Sequence, residues 1–194
     1  LIDLGYDDIL DDYVLTASIS GVTYLHVGSK EISDLTGIEG FTALTFLHCQ
    51  NNQLTTLDMS SNTALDNLST GNNQLTSLDV SSNTALAELT CENNGLTYLN
   101  MKNGVTDQFS IFYATENLLS CIETLDPGYA TANWTYANGN IDEGVTFAVD
   151  CSSGPPTLDP PTLVINEILT YNSACCTDAN GDYDSYIELY NYGD

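Results

Sequence analysis

Apolar residues recur at a nearly constant spacing across residues 22–119. The spacing between equivalent positions is 22, 21, 21 and 23 residues, measured from the first apolar position of each repeat: Val22, Leu44, Leu65, Leu86 and Phe109. Each repeat carries several such positions, which in the second repeat are Leu44, Leu47, Cys49 and Leu54. A period of roughly 20 to 30 residues indicates that each repeat is one structural unit. We predict that these apolar side chains point inward.

A repeat of this length cannot bury its apolar side alone, so it must stack on its neighbours. The pattern therefore predicts an α/β-type repeat fold that is mostly β: a right-handed leucine-rich-repeat solenoid of five coils with a cap at each end. Alternating apolar and polar positions predict a second extended stretch in each middle coil, at residues 57–59, 78–80 and 99–101. Between coils, Ser-Ser-Asn-Thr at residues 60–63 and 81–84 supplies turn chemistry.

One asparagine recurs at the same position of four coils: Asn52, Asn73, Asn94 and Asn117. A side-chain amide both donates and accepts hydrogen bonds, so it can satisfy backbone groups of the adjacent coil that the bend would leave unpaired. We call this predicted row the asparagine ladder. Lys30 takes the ladder position in the first coil, which marks that coil as atypical.

The two ends of a repeat array need caps, because a terminal coil would otherwise expose its apolar layer. We predict an N-terminal cap at residues 1–21, which opens with the end of a short helix closed by Gly5. Five repeats follow at residues 22–119, and a C-terminal cap at residues 120–151 contains Trp134, the single tryptophan.

Four of the six cysteines lie in the repeats and their C-terminal cap. Cys121 and Cys151 bracket the cap and are most simply a disulfide, worth about 3 kcal/mol, with two free thiols as the alternative. Cys49 and Cys91 share an inward position two coils apart. At strand spacing that is about 10 Å, beyond the reach of a disulfide, so we expect two buried apolar residues.

The charge of the chain limits its partners. Twenty-seven acidic residues stand against two basic ones, both lysine, which gives a formal charge of −25. Nucleic acid and anionic membranes are therefore poor partners, whereas divalent cations and basic surfaces are attracted. No apolar run is long enough to span a membrane. The chain begins at Leu1 without a signal-like segment, and we expect a mature fragment of a secreted or cell-surface protein.

The repeats resemble a known group. Residues 72–81 read Asn-Asn-Gln-Leu-Thr-Ser-Leu-Asp-Val-Ser, and residues 1–151 resemble the secreted leucine-rich-repeat proteins of Bacteroidetes. Residues 32–39 resemble an internalin-type repeat. The resemblance implies an exported or surface protein used in adhesion or recognition, commonly with further modules downstream.

The C-terminal part changes in composition. Residues 152–162 hold four of the five prolines, which predicts a semi-rigid linker. Residues 163–169 and 186–190 then alternate like strands and resemble the opening of a lamin-tail domain, an immunoglobulin-like sandwich. Such a sandwich takes about 100 residues, so we interpret residues 163–194 as a partial domain.

Oxygen-bearing side chains alternate in a short C-terminal segment, as they do in loops that wrap calcium. The candidate metal ligands are Asp178, Asn180, Asp182, Asp184 and Glu188. Glu188 follows Asp178 by ten residues rather than eleven, so an acidic turn without an ion remains the alternative. Calcium is the one cofactor that we predict. The adjacent Cys175 and Cys176 leave a vicinal bridge, a metal site and bonds to other cysteines all open.

The strand face of the predicted solenoid, which we expect to be concave, carries the candidate ligand-binding residues: Tyr24, His26, Phe46, His48, Gln50, Glu88, Glu92 and Tyr113. Both histidines fall at the same position of adjacent coils, beside Tyr24 and Phe46. A histidine pair binds transition metals or titrates near neutral pH, and an aromatic patch anchors a protein or glycan. Solvent-facing residues without a dedicated role remain the alternative.

Catalytic motifs are missing from the sequence: it contains no His-Glu-x-x-His, no nucleophile elbow and no phosphate loop, so we predict that it is not an enzyme. We expect an extracellular or cell-surface recognition or adhesion module that binds a protein or glycan through the strand face. The alternative is a structural building block of a surface layer or filament, in which copies of the chain are bridged by calcium.

Overall fold

The structure is a computed structural model that describes these parts of the chain: residues 5–6 and 14–152 with side chains, and the backbone of Leu163–Leu169 and Tyr186–Asn191. The chain divides into two compact units, Leu1–Ser153 and Gly154–Asp194. The repeats belong to the first unit, and the pair of C-terminal strands belongs to the second.

Two parallel sheets form the frame of the first unit. Its described strands are, in chain order, β1 (Tyr24–His26), β2 (Phe46–His48), β3 (Asn67–Ser69), β4 (Ser77–Asp79), β5 (Glu88–Thr90), β6 (Tyr98–Asn100), β7 (Ile111–Tyr113), β8 (Cys121–Glu123) and β9 (Thr146–Ala148). Strands β1, β2, β3, β5 and β7 form sheet A, and β4, β6, β8 and β9 form sheet B. Each repeat therefore gives one strand to sheet A, at the position that the apolar period predicts.

The strands of sheet A pair in register. Leu25 lies opposite Leu47, and Leu68 lies between Leu47 and Leu89, which is followed by Phe112. All five side chains are buried in one core, because residues at the same position of parallel strands point to the same side. The predicted inward positions are confirmed, and so is the contact between equivalent positions of successive repeats.

Sheet B arises from the second alternating stretch. Leu78 and Leu99 are the buried middle residues of β4 and β6, and they lie opposite each other. Val80 and Met101 are buried as well, so the predicted alternation is confirmed. Residues 57–59 have the same pattern but form no strand in the structure.

The asparagine ladder satisfies backbone groups across coils, as predicted. Asn52 Oδ1 accepts hydrogen bonds from the backbone N–H groups of Lys30 and Ile32, both at 3.0 Å. Its Nδ2 donates to the carbonyl oxygens of Val27 at 2.8 Å and Cys49 at 2.9 Å. Bonds of the same kind surround the other members of the ladder: Asn73, Asn94 and Asn117. In each of these coils, one asparagine side chain therefore forms hydrogen bonds with backbone groups of two coils.

The residue before each ladder position has a left-handed backbone, with φ of 57°, 58°, 51° and 57° at Asn51, Asn72, Asn93 and Glu116 respectively. Asparagine adopts this conformation more readily than most residues with a side chain. The two asparagines of each Asn-Asn pair therefore have different tasks, since the first turns the chain and the second bonds the neighbouring coil.

A second asparagine row lies in the turns that the sequence analysis assigned to turn chemistry alone. Asn62 and Asn83 are completely buried. Asn62 Nδ2 donates to the carbonyl oxygens of Ile38 and Phe41 at 3.0 Å, and Asn83 Nδ2 donates to those of Met59 at 3.0 Å and Asn62 at 2.9 Å. These bonds connect the turns of successive coils, as the ladder connects the bends that follow the strands of sheet A.

The N-terminal cap contains a helix that the sequence analysis did not predict. Helix α1 (Thr16–Ile19) buries Ile19 against the first coil. Gly5 has a left-handed φ of 76°, a backbone conformation that favours glycine. The predicted helix end at residues 1–4 lies outside the described residues.

The C-terminal cap covers the last coil with aromatic side chains and a helix. Helix α2 (Pro127–Asn133) begins after Asp126, whose side chain accepts a hydrogen bond from the Tyr129 N–H at 2.9 Å. Trp134 is buried, with its ring centre 4.4 Å from that of Phe112 and 5.9 Å from that of Phe147. The only tryptophan therefore shields the apolar end of the stack.

The four cysteines of this unit behave as predicted. Cys121 and Cys151 form a disulfide that closes the C-terminal cap. Cys49 and Cys91 are free and completely buried, and each thiol donates to a carbonyl oxygen of the next coil at 3.5 Å. Burial raises the pKa of Cys49 to about 12, so this thiol stays protonated and unreactive at neutral pH.

One of the two lysines joins the fourth repeat to the C-terminal cap. Lys102 Nζ lies 2.5 Å from Glu123 Oε2 and donates to the carbonyl oxygen of Val149 at 3.3 Å. Glu123 is buried and also accepts from the backbone N–H of Cys151 at 3.2 Å and from the Tyr98 hydroxyl at 3.3 Å. The Lys102 ion pair first, and then the Cys151 N–H, hold the pKa of Glu123 below its ordinary value.

We expect Glu123→Gln to lower the free energy of unfolding at neutral pH. On acidification, the variant should lose less of this free energy than the wild type does. Because the folded-state pKa of Glu123 is lowered, its contribution is present above the unfolded-state pKa and disappears as the pH falls through the folded-state pKa. The difference in unfolding free energy between wild type and Glu123→Gln should therefore shrink as the pH falls from neutrality to below 4.5, the ordinary pKa of a glutamate side chain. Urea titrations of both proteins across that pH range measure this difference. A difference that does not change with pH would contradict the lowered pKa of Glu123.

The second unit is described by its two strands. Strands β10 (Leu163–Leu169) and β11 (Tyr186–Asn191) pair antiparallel, with an irregularity between Ile165 and Glu167. The two strands predicted from alternation are thus confirmed. In the parts of the chain that the structure describes, no helix has the length and apolar character needed to cross a membrane.

Candidate binding face of the five-stranded sheet

The side chains of sheet A that point away from the core form one continuous face. The first residues of the strands lie in one row, Tyr24, Phe46, Asn67, Glu88 and Ile111, and the third residues lie in another, His26, His48, Ser69, Thr90 and Tyr113. We call these ten residues the outer face. In-register pairing brings six of the eight predicted binding residues onto it: Tyr24, His26, Phe46, His48, Glu88 and Tyr113.

Four rings cluster at the N-terminal end of the outer face. Tyr24 and Phe46 are stacked, with ring centres 5.2 Å apart and planes at 20°. His48 lies 4.6 Å from Phe46 and 5.8 Å from His26 between ring centres. Tyr24 is 54% exposed although it is a large aromatic residue. We call these four residues the aromatic cluster.

A chain of hydrogen bonds runs from the aromatic cluster into the polar middle of the face. Asn67 Nδ2 donates to Glu88 Oε2 through a short contact, and Ser110 Oγ donates to Glu88 Oε1 at 3.4 Å. Asn67 Oδ1 lies 3.2 Å from His48 Nε2. A carboxylate only accepts hydrogen bonds, so the Asn67 amide is fixed with its oxygen toward His48, and Nε2 of His48 must be the donor.

The buried state of Asn67 differs from the sequence pattern, which places its side chain on the surface. Asn67 is only 7% exposed because His48 and Glu88 lie on either side of it and both bond its amide. Periodicity indicates the direction in which a side chain leaves the strand, but not how its larger neighbours cover it.

Gln50 and Glu92 lie just beyond the outer face, and both fold back over a glycine of the preceding coil. A Cβ atom on Gly28 would lie 3.3 Å from Gln50 Cδ, and one on Gly71 would lie 2.5 Å from Glu92 Oε1. The glycines therefore leave the space that these two side chains occupy. Both predicted binding residues are half-buried as a result.

The C-terminal end of the outer face, at β7, exposes apolar side chains as the N-terminal end does. Ile111 is 37% exposed and Tyr113 is 44% exposed. Between this end and the aromatic cluster, Thr90 donates to the Ser69 hydroxyl at 2.8 Å. The outer face therefore has a polar middle between two apolar, partly aromatic ends.

An acidic groove lies beside sheet B. Asp58 and Asp79 line a groove of about 620 Å³ at equivalent positions of successive coils. Each carboxylate accepts a backbone N–H two residues ahead, from Ser60 at 2.9 Å and Ser81 at 2.8 Å, and Asp79 also accepts from Asn100 Nδ2 at 3.1 Å. The Ser60 bonds hold the pKa of Asp58 below its ordinary value. The two carboxylates therefore stabilise turns, which accounts for their presence at equivalent positions of successive coils.

The predicted calcium ligands, Asp178, Asn180, Asp182, Asp184 and Glu188, have no described side chains, since residues 178–184 lie outside the described residues and only the backbone of Glu188 is described. Cys175 and Cys176 lie outside them too. Within the residues that are described, no group of three or more His, Cys, Asp or Glu side chains is arranged to hold a metal ion.

The stacked repeats and their sequence resemble those of leucine-rich-repeat proteins. Over 52 residues, or 27% of this chain, the sequence is 42% identical to internalin J of Listeria monocytogenes serotype 4b (strain F2365). A solved structure of the functional domain of internalin J from Listeria monocytogenes, described as including a cysteine ladder, matches 57% of this chain with a TM-score of 0.54 and 36% sequence identity. The repeats are thus internalin-like.

These matches are partial. The aligned segments cover 6% of the internalin J sequence and 24% of the solved internalin J chain. Internalin C2 from Listeria monocytogenes str. 4b F2365 gives a TM-score of 0.48 at 24% identity, over 68% of this chain and 55% of that one. No protein-family model matches the chain.

Proposed function

We propose that the repeat stack is an extracellular or cell-surface recognition module that binds a partner protein through the outer face of sheet A. The observation that carries this proposal is the aromatic cluster, in which Tyr24 is stacked on Phe46 and remains more than half exposed. Exposed aromatic residues in a cluster are typical anchors of protein interfaces. The internalin-like repeats support a role in protein binding.

The outer face is suited to binding because little of it must be ordered when a partner arrives. Its strands are fixed by in-register pairing, and the asparagine ladder fixes the turns that follow them. The bond between Asn67 and Glu88 also holds the polar middle in place. A preorganised surface loses less side-chain and backbone entropy on association, so more of the contact energy becomes affinity.

Charge defines the chemistry of the partner. The outer face carries Glu88 but no lysine or arginine, and the whole chain has a formal charge of −25. A partner with a basic contact surface is attracted over long range, whereas an acidic one is repelled. We therefore propose a partner that offers basic residues around an apolar or aromatic centre, and no nucleic acid.

An oxidising compartment agrees with this role. The disulfide between Cys121 and Cys151 closes the cap, and disulfides persist mainly in exported proteins. We propose on this ground, and on the internalin-like repeats, that the protein is secreted or displayed at a cell surface and is not an enzyme. The lamin-tail-like domain at residues 163–194 and its calcium loop remain proposals for the second unit.

Tyr24→Ala is expected to weaken partner binding at least tenfold without changing stability, because Tyr24 is exposed and contributes to the aromatic cluster. The matched control is Tyr136→Ala, which removes a tyrosine that is 62% exposed in the C-terminal cap. The measurement is the affinity of both variants for proteins selected by the wild type from an array of extracellular proteins, with a glycan array in parallel.

The same experiment separates the alternatives. Hits lost by Tyr24→Ala and kept by Tyr136→Ala support the proposal, and hits kept by both variants contradict it. Hits on the glycan array alone would replace protein by glycan as the partner. Calcium-driven self-association in light scattering, reversed by chelation, would favour the structural building block.

A further inference from the structure

We propose that His26 and His48 form a two-histidine site for a divalent transition metal ion such as Zn²⁺, Ni²⁺ or Cu²⁺. The inference goes beyond the proposed function, because metal binding at this site needs no partner protein. It rests on the register of two strands, on the fixed tautomer of one ring, and on the chemistry of the neighbouring side chains.

The register of sheet A places the two imidazoles on one side and at one height. His26 and His48 are paired residues of the adjacent parallel strands β1 and β2. Their ring centres are 5.8 Å apart and their planes are at 66°. With metal–nitrogen bonds of about 2.0–2.1 Å, two imidazoles on one tetrahedral ion have ring centres roughly 5 Å apart. The observed separation of 5.8 Å is within about 1 Å of that value.

The hydrogen-bond chain prepares His48 to be a ligand. Glu88 fixes the Asn67 amide, and the Asn67 oxygen then accepts from Nε2 of His48. Neutral His48 consequently carries its proton on Nε2, which leaves the lone pair of Nδ1 for a metal. Metal-binding histidines commonly have their other nitrogen held by a hydrogen-bond acceptor in this way.

The surroundings favour a transition metal over calcium. Imidazole nitrogen suits Zn²⁺, Ni²⁺ and Cu²⁺, whereas calcium takes oxygen ligands. Because the described residues offer no group of three candidate ligands, the ion would keep open coordination positions for water. Phe46, with its ring centre 4.6 Å from His48, shields one side of the pair. Glu88 acts on His48 through Asn67.

The test is isothermal titration of the purified chain with ZnCl₂, in the presence of excess calcium to occupy carboxylates. We expect one saturable site per chain, and at least tenfold weaker binding in both His26→Gln and His48→Gln. Ser69→Ala is the matched control, since Ser69 lies on the same face beside His48 and should not change zinc affinity. Proton NMR of the two imidazoles, which are the only ones in the chain, should show both shifting together.

Two results would overturn the site. One is zinc binding that is as tight in His26→Gln and His48→Gln as in the wild type, which would place zinc on carboxylates. The other is the absence of saturable binding to the wild type. Because zinc binding is measured without a partner, its failure leaves the protein-binding test with Tyr24→Ala unaffected.

Discussion

Asn52→Ala should lower the free energy of unfolding by about 3 kcal/mol. The substitution removes one acceptor that serves the N–H groups of Lys30 and Ile32, and two donors that serve the carbonyl oxygens of Val27 and Cys49. A buried backbone group left without a partner costs about 1–3 kcal/mol, and water reaches only some of the four groups. The measurement is the urea midpoint at constant slope.

Gln53→Ala is the control for this prediction, because Gln53 is the next residue and its side chain is exposed. Its backbone N–H bonds the carbonyl oxygen of Ile32 and is retained in the variant. We expect a change of less than about 0.5 kcal/mol for Gln53→Ala. Similar midpoints for the two variants would show that the ladder bonds contribute little.

Replacing both Cys121 and Cys151 by serine should cost about 3 kcal/mol of stability. The disulfide closes a loop with a sequence separation of 30 residues, so its loss releases chain entropy in the unfolded state. The same loop contains Trp134, which covers Phe112 at the end of the stack, so a loosened cap also exposes the core. Thermal and urea unfolding of variant and wild type under oxidising conditions measure the effect.

The wild type in reductant provides the matched comparison for the serine variant. We expect its midpoint to fall to that of the variant, because the other two cysteines of this unit are free already. Equal midpoints for the oxidised wild type and the serine variant would refute the stabilising role of this disulfide.

The repeat period was sufficient to predict the register of sheet A. Because equivalent positions of stacked repeats become neighbours, Leu47, Leu68 and Leu89 follow one another in the core, and His26 lies beside His48. The asparagine ladder was predictable for the same reason, since an amide at a fixed place in every coil needs the same backbone partners.

The period did not predict features that depend on local packing. Helix α1 precedes the repeats and has no periodic signal, and the burial of Asn62 depends on the turns above and below it. Asn62 and Asn83 occur in identical Ser-Ser-Asn-Thr-Ala-Leu segments, which was the one available signal for a second row. Turn propensity accounts for the same residues, so the repeated segment does not by itself distinguish a buried row from exposed turns.

The candidate site was predictable as a set of positions but not as a set of contacts. Equivalent positions of adjacent coils place Tyr24, Phe46 and the two histidines together, whereas the bonds of Asn67 to His48 and Glu88 depend on side-chain torsions. Periodicity carries no information on those torsions. For the same reason it does not name the partner, since many ligands fit one repeat architecture.

Hydroxyl-radical footprinting of a complex with a selected partner tests the central claim, that the outer face of sheet A is the recognition surface. Tyr24 and Tyr136 are both exposed in the free protein, at 54% and 62%, and serve as paired reporters. We predict that partner binding protects Tyr24 from oxidation and leaves Tyr136 as reactive as before. Protection of Tyr136 with undiminished oxidation of Tyr24 would contradict the claim.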